Sequence, residues 1–245
     1  MNRTLVIGDI HGGLLAIKQV FERAKVTLDD TLIFLGDYVD GWSQSAEVLD
    51  FLMHLSTQQK TILLRGNHDQ LLLDWLEGNT EEFDEDQWFK HGGESTMKAY
   101  SKLSIEKKQE HIAFLKSLQD YYIDENNRLF IHAGFTHQNG VNSEYFPKLF
   151  YWDRTLWETA LSLDHSIPKN HLYYPKRFAL YQEIFIGHTP VTKIGETIPV
   201  NKGCVWNIDT GAGFMGSLTL IDADTKEFWQ SDRLPDLYPN EKGRN

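Results

Sequence analysis

Cysteine and long apolar runs are both scarce in this sequence of 245 residues. The single cysteine, Cys204, excludes an intrachain disulfide and favours a reducing compartment, so we expect a cytoplasmic protein. Cys204 lies within an apolar run, where we expect a small core residue and not a nucleophile. No apolar stretch approaches the length of a signal-peptide core or a membrane span. Export and membrane insertion are therefore not expected.

Basic residues are also fewer than acidic residues. The chain has 24 basic and 35 acidic residues, which gives a formal net charge of −11. Broad nucleic-acid binding requires a basic face, so this class of function is disfavoured. Some of the excess carboxylates are expected to be neutralised by bound cations. The oligomeric state does not follow from the sequence.

What the chain does contain is a repeated pattern of apolar runs that end in glycine and a metal-binding side chain. The five segments are residues 5–11, 32–37, 62–68, 129–134 and 184–188. An apolar run of this length bounded by glycine indicates a buried strand, and the next side chain lies at the edge of the sheet. Asp, His and Asn side chains that converge from five strands can form a metal site.

The first third of the chain alternates strand and helix patterns, with strands predicted at residues 3–8, 31–35 and 60–64. This order indicates a mostly parallel sheet in an α/β protein. Further elements are predicted as helices at 94–103, 106–119 and 144–163, a hairpin of 121–124 with 128–131, and strands near 183–187, 204–208, 216–222 and 226–230. We expect one domain over residues 1–234 with a helical insertion at about 77–120. The polar tail at 235–245 is expected to fray.

The polar residues that follow the five strands form a candidate set of metal ligands. Asp9 and His11 are alternate residues, which can point to the same side of an extended chain. Asp37 offers two carboxylate oxygens and can bridge two cations, which repel each other unless an anion lies between them. The assigned ligands are Asp9, His11 and Asp37 for one ion, and Asp37, Asn67, His132 and His188 for the other. Nitrogen and oxygen ligands without thiolate indicate Mn, Fe or Zn, and two such ions would convert a bridging water into a hydroxide nucleophile.

Two further residues are candidates for proton transfer. His68 follows Asn67 directly, so its ring can lie near the metals without binding them, and Asp40 can accept a hydrogen bond from it. A carboxylate partner fixes the tautomer of an imidazole and favours its protonated form, as a general acid requires. Arg154 is a candidate for bidentate phosphate binding, and Asn67 is assigned to the substrate phosphate as well as to the metal.

Several other residues carry weaker signals. His91 and Arg65 are candidates for the substrate cleft, and Asp209 for a turn near its mouth. Trp42, beside Asp40, is either a pocket wall or a core residue. Five histidines lack any such context and are predicted to be solvated: His54, His111, His137, His165 and His171.

In order and spacing, the motifs resemble those of the calcineurin-like metallophosphoesterases. The matching segments are residues 8–12 (GDIHG), 36–41 (GDYVDG), 66–69 (GNHD), 132–134 (HAG) and 187–189 (GHT). Within that family the chain looks like the phosphoprotein-phosphatase branch, with its bacterial serine/threonine phosphatase-like and diadenosine-tetraphosphatase-like enzymes. The resemblance covers residues 3 to about 213. It implies a two-metal centre, often loaded with Mn²⁺, at the edge of a four-layer αββα sandwich in which helices flank two mixed β-sheets.

The resemblance implies a phosphatase for phosphoserine/threonine-like or small phosphomonoesters, with His68 as general acid oriented by Asp40. The alternative is a dinucleoside-polyphosphate hydrolase. A more distant alternative is an inactive binding scaffold, although such proteins generally lose the acid or a metal ligand, and here all are present. One departure from the family is clear: its second motif usually continues Asp-Arg-Gly, and that arginine grips the substrate phosphate, whereas this chain has Asp40-Gly41-Trp42.

Overall fold

Two mixed β-sheets form the framework of the computed structural model, which describes residues 2–79, 84–164 and 166–244. In chain order the strands are β1 (Thr4–Ile7), β2 (Thr31–Phe34), β3 (Thr61–Leu63), β4 (Tyr121–Ile123), β5 (Arg128–Ile131), β6 (Glu183–Ile186), β7 (Val200–Lys202), β8 (Val205–Asn207), β9 (Ser217–Asp222) and β10 (Phe228–Arg233). The first sheet has the order β10-β9-β1-β2-β3 and the second the order β4-β5-β6-β8-β7.

Each sheet contains a parallel block with antiparallel neighbours. In the first sheet β1 pairs in parallel with β2, and β2 with β3, whereas β9 and β10 are antiparallel. In the second sheet β5, β6 and β8 are parallel, and β4 and β7 are antiparallel edge strands. The alternating strand and helix patterns of the first third therefore form a parallel half-sheet, as predicted.

Helices flank the sheets. They are α1 (Leu14–Ala24), α2 (Ser45–Ser56), α3 (Asn67–Glu77), α4 (Glu85–Trp88), α5 (Glu94–Tyr100), α6 (Ile105–Ser117), α7 (Leu149–Trp152), α8 (Thr155–Ser162), α9 (Lys176–Ala179) and α10 (Leu234–Leu237). A π-helical turn, Phe89–Gly93, joins α4 to α5. In the described ranges, no helix combines the length and apolar character needed to cross a bilayer.

Side chains along the strands alternate between two cores. On β1, Leu5 and Ile7 join the core that the first sheet shares with α1 and α2, whereas Val6 joins the core between the two sheets. Phe130 of β5 and Phe185 of β6 belong to the same inter-sheet core, with ring centroids 5.1 Å apart. Because both faces of these strands are buried, their sequences are continuous apolar runs. The layers are therefore helix, sheet, sheet and helix, as the resemblance implied.

The single helix predicted at 144–163 is wrong, because α7 and α8 are separate. Asp153 lies between them, and its carboxylate accepts hydrogen bonds from the backbone N–H groups of Thr155 (3.0 Å) and Leu156 (2.9 Å). Such a carboxylate starts a new helix by satisfying its first free donors. Strand β7 was not predicted, since its three residues include Asn201 and Lys202 and form no apolar run.

The prediction that the tail frays is wrong for residues 235–244. Tyr238 is buried and stacks on Trp42 with ring centroids 5.4 Å apart, and its hydroxyl donates to Gln44 Oε1 at 2.6 Å. Further along, the backbone N–H of Arg244 donates to the carbonyl of Gly213 at 2.8 Å. The stacked rings of Trp42 and Tyr238 and a backbone hydrogen bond thus fix this segment in place. Its polar composition gave no sign of these contacts. Asn245 lies outside the described residues.

Two predictions about single side chains have opposite outcomes. Cys204 is buried, and burial raises the pKa of its thiol to about 11, which confirms an unreactive core residue. His111 is fully buried, so its predicted solvation is wrong; it lies between the hydroxyl of Tyr100 (2.7 Å) and Asp50 Oδ1 (3.1 Å). Of the other histidines predicted to be solvated, His54 and His171 are exposed and His137 is half-buried, while His165 lies outside the described residues.

Candidate metal centre and substrate cleft

The six residues assigned as metal ligands lie together, and we call them the ligand cluster: Asp9, His11, Asp37, Asn67, His132 and His188. They follow the carboxyl ends of β1, β2, β3, β5 and β6, which are five of the six strands in the two parallel blocks. All six are buried. Parallel strands bring their carboxyl ends to the same edge, which explains why side chains so far apart in sequence meet.

Asp37 is at the centre of the ligand cluster. Its Oδ2 lies 3.5 Å from His11 Nε2, and its Oδ1 lies 3.4 Å from His132 Nε2. Two groups of side chains share Asp37, and within each group the donor atoms lie within 4.8 Å of one another: Asp37 with His11 and His68, and Asp37 with His132 and His188. The two oxygens of one carboxylate thus face two different sets of donors, the arrangement expected of a bridging ligand.

The remaining two residues assigned as ligands lie at the margins of these groups. Asp9 Oδ2 is 4.0 Å from His11 Nε2 and accepts a hydrogen bond from the backbone N–H of His188 at 3.0 Å. Asn67 Oδ1 lies 2.9 Å from His188 Nδ1 and 3.2 Å from His132 Nε2. Asp9 therefore connects the loop after β1 to the loop after β6. Asn67, which follows β3, connects the first sheet to His132 and His188, which follow two strands of the second sheet.

The protonation of the histidines fits a metal centre. His11 Nδ1 lies 3.0 Å from the carbonyl of Val39, and His132 Nδ1 lies 2.9 Å from the carbonyl of Leu35. A carbonyl can only accept, so each Nδ1 carries the hydrogen and each Nε2 presents a lone pair to the cluster, as in histidines that bind metals. His188 Nε2 is buried and has no hydrogen-bond partner in the part of the chain that the structure describes. An unsatisfied buried nitrogen is costly unless a further ligand completes it.

The charge of the centre also fits bound cations. Burial, together with the nearby carboxylates of Asp209 and Asp37, raises the pKa of Asp9 well above its usual range. Burial likewise raises the pKa of Asp37 to about 7 and that of Asp209 to about 6. Carboxylates crowded at low dielectric resist ionisation until a positive charge compensates them, and divalent ions would supply that charge.

The glycines of the motifs are explained by close packing of the loops. A Cβ atom on Gly187 would lie 2.0 Å from Asp9 Oδ1, and one on Gly66 would lie 2.2 Å from Asp37 Oδ1. Backbone strain is concentrated here as well. Four of the seven described non-glycine residues with positive φ are His11, Asp37, Asp40 and His188. Strained backbone of this kind persists where the surroundings fix it and often marks functional sites.

Asp69 holds two of these loops together, a role that the sequence did not reveal. Its carboxylate accepts hydrogen bonds from three backbone N–H groups, those of Gly66 (2.8 Å), Asp37 (2.9 Å) and Tyr38 (2.8 Å). Asp69 is buried and lies in the first turn of α3. It therefore fixes the backbone of Asp37 relative to the loop that carries Asn67.

The predicted contact between His68 and Asp40 is present. His68 Nδ1 lies 2.7 Å from Asp40 Oδ2, and the same oxygen accepts a hydrogen bond from Trp88 Nε1 at 2.6 Å. The expected effect on protonation is outweighed, because burial lowers the pKa of His68 well below its usual range and raises the pKa of Asp40 to about 7. Trp88, a partner of Asp40 from the helical insertion, was missed because a tryptophan before an irregular turn carries no sequence signal.

A cleft of about 320 Å³ opens beside the ligand cluster. The side chains that line it include Asp37, Asn67, His68, His188, Leu71, Trp88, His91, Trp152, Arg154 and Arg244. Arg154 lies in the cleft lining, where its Nη1 donates to Thr189 Oγ1 at 3.1 Å, and its role as a phosphate ligand stays a prediction. His91 is in the lining, which agrees with its prediction. Arg244 comes from the tail that was expected to fray, and its place in the cleft was not predicted.

Three weaker candidates have different positions. Arg65 lies outside the cleft lining, with its Nε 3.8 Å from Asp120 Oδ1. Trp42 is a core residue, fully buried, whose Nε1 donates to the carbonyl of Ala212 at 2.7 Å. Asp209 is buried near Asp9 and raises the pKa of that carboxylate, as described above.

Comparison with known proteins agrees with this geometry. The family model described as calcineurin-like phosphoesterase matches residues 2–211. The asymmetrical bis(5'-nucleosyl)-tetraphosphatase PrpE of Halalkalibacterium halodurans is 28% identical over 266 residues, which covers 98% of this chain and 97% of that protein. A catalytic subunit of protein phosphatase 2A from Dictyostelium discoideum is 36% identical over 66 residues, 26% of this chain and 21% of that protein.

The fold has solved relatives too. The crystal structure of a candidate diadenosine tetraphosphatase superimposes with a TM-score of 0.62 at 17% identity, covering 94% of this chain and 92% of that one. At this identity the likeness establishes the fold alone. The family match spans most of the sequence and includes every residue of the ligand cluster. This chain therefore belongs to the calcineurin-like phosphoesterase family, and it is a metal-dependent hydrolase of phosphoric esters.

Proposed function

We propose that this chain hydrolyses dinucleoside polyphosphates at a two-metal centre held by the ligand cluster. The observation that carries the two-metal centre is the position of Asp37, whose two oxygens lie 3.5 Å from His11 Nε2 and 3.4 Å from His132 Nε2. When bound, two divalent ions would activate water and neutralise the charge of the phosphate under attack. Nitrogen and oxygen donors without thiolate favour Mn²⁺, with Fe or Zn as alternatives.

His68 and Asp40 are proposed to handle the proton of the leaving group. His68 lines the cleft, and its Nδ1 lies 2.7 Å from Asp40 Oδ2, so Nε2 is the nitrogen that can meet a departing oxygen. Asp40 fixes the tautomer and orientation of the ring. Substitution of His68 by Asn should therefore slow esters with poor leaving groups, such as alkyl phosphates, much more than p-nitrophenyl phosphate. Equal losses on both would remove His68 from this role.

Two observations support a nucleotide substrate. Trp152 lies in the cleft lining with 38% of its surface exposed, and a flat aromatic side chain can stack on a nucleobase. The similarity to the tetraphosphatase covers nearly the whole of both chains, whereas that to the protein phosphatase covers 66 residues. The second candidate function, hydrolysis of phosphomonoesters such as phosphoserine or phosphothreonine, is favoured by that shorter match and by a centre that suits any phosphoric ester.

A substrate comparison on the Mn²⁺-loaded protein tests the proposal. We expect kcat/KM for diadenosine tetraphosphate to exceed that for a phosphoserine peptide by at least about 100-fold, the discrimination that roughly 3 kcal/mol of stacking and charge contacts gives. The Trp152→Ala variant should raise KM for the dinucleotide and leave p-nitrophenyl phosphate unaffected. The matched control is Tyr145→Ala, because Tyr145 is exposed and lies outside the cleft lining. Faster hydrolysis of the phosphopeptide would select the second candidate.

A further inference from the structure

The guanidinium of Arg244 is part of the cleft although its backbone belongs to the tail. Arg244 Nη1 lies 3.1 Å from His11 Nε2, and its Nε donates to the carbonyl of His91 at 3.0 Å. Its Cζ lies 4.9 Å from the ring centroid of Phe214. These contacts, with the backbone hydrogen bond to Gly213, place a positive charge directly beside the ligand cluster.

The stem of Arg244 runs through a channel that three glycines leave open. A Cβ atom on Gly41 would lie 3.1 Å from Arg244 Cγ, one on Gly92 would lie 2.9 Å from the same atom, and one on Gly213 would lie 3.0 Å from Arg244 Cδ. These glycines come from three separate segments of the chain. A side chain at position 41 and the stem of Arg244 would therefore compete for the same space, so the absence of a side chain at Gly41 makes room for this arginine.

The guanidinium of Arg244 makes no direct ion pair with a described carboxylate, although burial raises the pKa of Asp37 and the charge of Arg244 opposes that rise from a longer distance. Within the described ranges, no Asp or Glu oxygen lies within 4.0 Å of the guanidinium, and Nη2 has no hydrogen-bond partner. The contact with His11 uses the Nε2 lone pair that a metal ion would take, so an occupied centre releases Nη1 as well. A half-buried guanidinium with free donors, beside a centre for phosphoric esters, is suited to an anionic ligand.

We propose that Arg244 is a ligand of the substrate phosphate, delivered by the tail to the same cleft as Arg154. The inference depends on the proposed function only in requiring a phosphate at this centre, and it is independent of which ester is hydrolysed. The rival role is occlusion, in which Arg244 blocks the lone pair of His11 and competes with the metal. The two roles are separated by phosphate binding: removal of the guanidinium weakens it if Arg244 is a phosphate ligand and leaves it unchanged if Arg244 only occludes His11.

Calorimetric titration of the full-length chain with Mn²⁺, and of the Mn²⁺-loaded chain with inorganic phosphate, distinguishes them. For Arg244→Ala we expect phosphate affinity to fall about 10- to 100-fold, the loss typical of a charge-assisted pair, and Mn²⁺ affinity to stay the same or rise, because the lone pair of His11 is freed. Arg244→Lys should lie between, since it keeps the charge without the planar fork. Added ethylguanidinium should restore part of the phosphate affinity of the Ala variant. The matched control is Lys242→Ala, which removes one positive charge from the same tail outside the cleft lining.

Other outcomes overturn the inference. Tighter Mn²⁺ binding in Arg244→Ala with unchanged phosphate affinity would establish occlusion. An equal loss of phosphate affinity in Lys242→Ala would attribute the effect to the general charge of the tail. Parallel loss of Mn²⁺ and phosphate binding in both the Ala and Lys variants would indicate a structural role. Failure of the wild-type chain to bind Mn²⁺ or phosphate would contradict the proposed function itself, whereas normal wild-type binding that Arg244→Ala leaves unchanged would contradict this inference alone.

Discussion

Removal of the indole N–H of Trp88 should weaken proton transfer without touching the ligand cluster. Asp40 Oδ2 accepts two hydrogen bonds, from His68 Nδ1 at 2.7 Å and from Trp88 Nε1 at 2.6 Å. Trp88→Phe deletes the second donor and keeps an aromatic ring in the cluster with Trp75, whose ring centroid lies 5.5 Å away. A hydrogen bond to a charged group contributes about 1.5–3 kcal/mol. Without the Trp88 donor the carboxylate of Asp40 should be less firmly oriented, and it should therefore orient the ring of His68 less firmly.

If the loss of this hydrogen bond raises the activation free energy by about 1.4 kcal/mol, kcat for an alkyl phosphate falls roughly tenfold. The loss should shrink along a series of aryl phosphates as the leaving group becomes more acidic, and it should nearly vanish for p-nitrophenyl phosphate. Mn²⁺ affinity should stay unchanged. The assay is the slope of log kcat against leaving-group pKa for the wild type, Trp88→Phe and His68→Asn.

Trp75→Phe is the matched control, because it makes the same atomic change in the same aromatic cluster, and Trp75 is not among the hydrogen-bond donors of Asp40. Its slope should equal that of the wild type. A uniform loss across all leaving groups in Trp88→Phe, or an equal change in Trp75→Phe, would refute the reasoning. Either result would mean that Trp88 supports the cleft by packing alone.

Three further predictions concern the loops and the insertion. Asp69→Asn should lower the free energy of unfolding by about 2–3 kcal/mol and weaken Mn²⁺ binding, because an amide cannot accept from all three N–H groups. Urea unfolding and metal titration measure the two effects, and unchanged Mn²⁺ affinity would contradict the prediction. Gly187→Ala should abolish binding of at least one ion, because the new Cβ displaces Asp9, and full occupancy by elemental analysis would disprove the packing argument. Burial lowers the pKa of His111, so the unfolded state binds more protons than the folded state as the pH falls below the ordinary histidine pKa of 6.5, and wild-type stability decreases there. His111→Gln should make the free energy of unfolding, measured in urea, depend less on pH in this range. An unchanged pH dependence would count against the argument.

The ligand cluster could be predicted from the sequence because its geometry follows from local patterns. Asp9, Asp37 and His188 each come directly after a glycine that ends an apolar run, and parallel strands bring such positions to one edge. The layer architecture was implied by the family resemblance, and the continuous apolar run of Leu5, Val6 and Ile7 agrees with it, because such a run is typical of a strand buried on both faces.

The features that were missed depend on contacts between segments remote in sequence. Trp88 reaches Asp40 across 48 positions, and Arg244 reaches His11 across 233. Neither residue lies in a periodic pattern or a motif, so local reasoning had nothing to detect. His111 was missed for the same reason: its partner Asp50 lies 61 positions away on another helix. The break at Asp153 was hidden because apolar spacing continues through it, and only its side-chain hydrogen bonds reveal the new helix start.

The central expectation is that the carboxylate of Asp37 bridges two divalent ions within the ligand cluster. Titration of the metal-free chain with Mn²⁺, followed by electron paramagnetic resonance, tests this most directly because two ions about 3.5–4 Å apart couple magnetically. We predict two ions per chain with a coupled spectrum in the wild type, and loss of that coupling together with turnover in Asp37→Asn. A wild-type chain that binds a single uncoupled ion, or an Asp37→Asn variant that keeps the coupled pair, would contradict the bridging role.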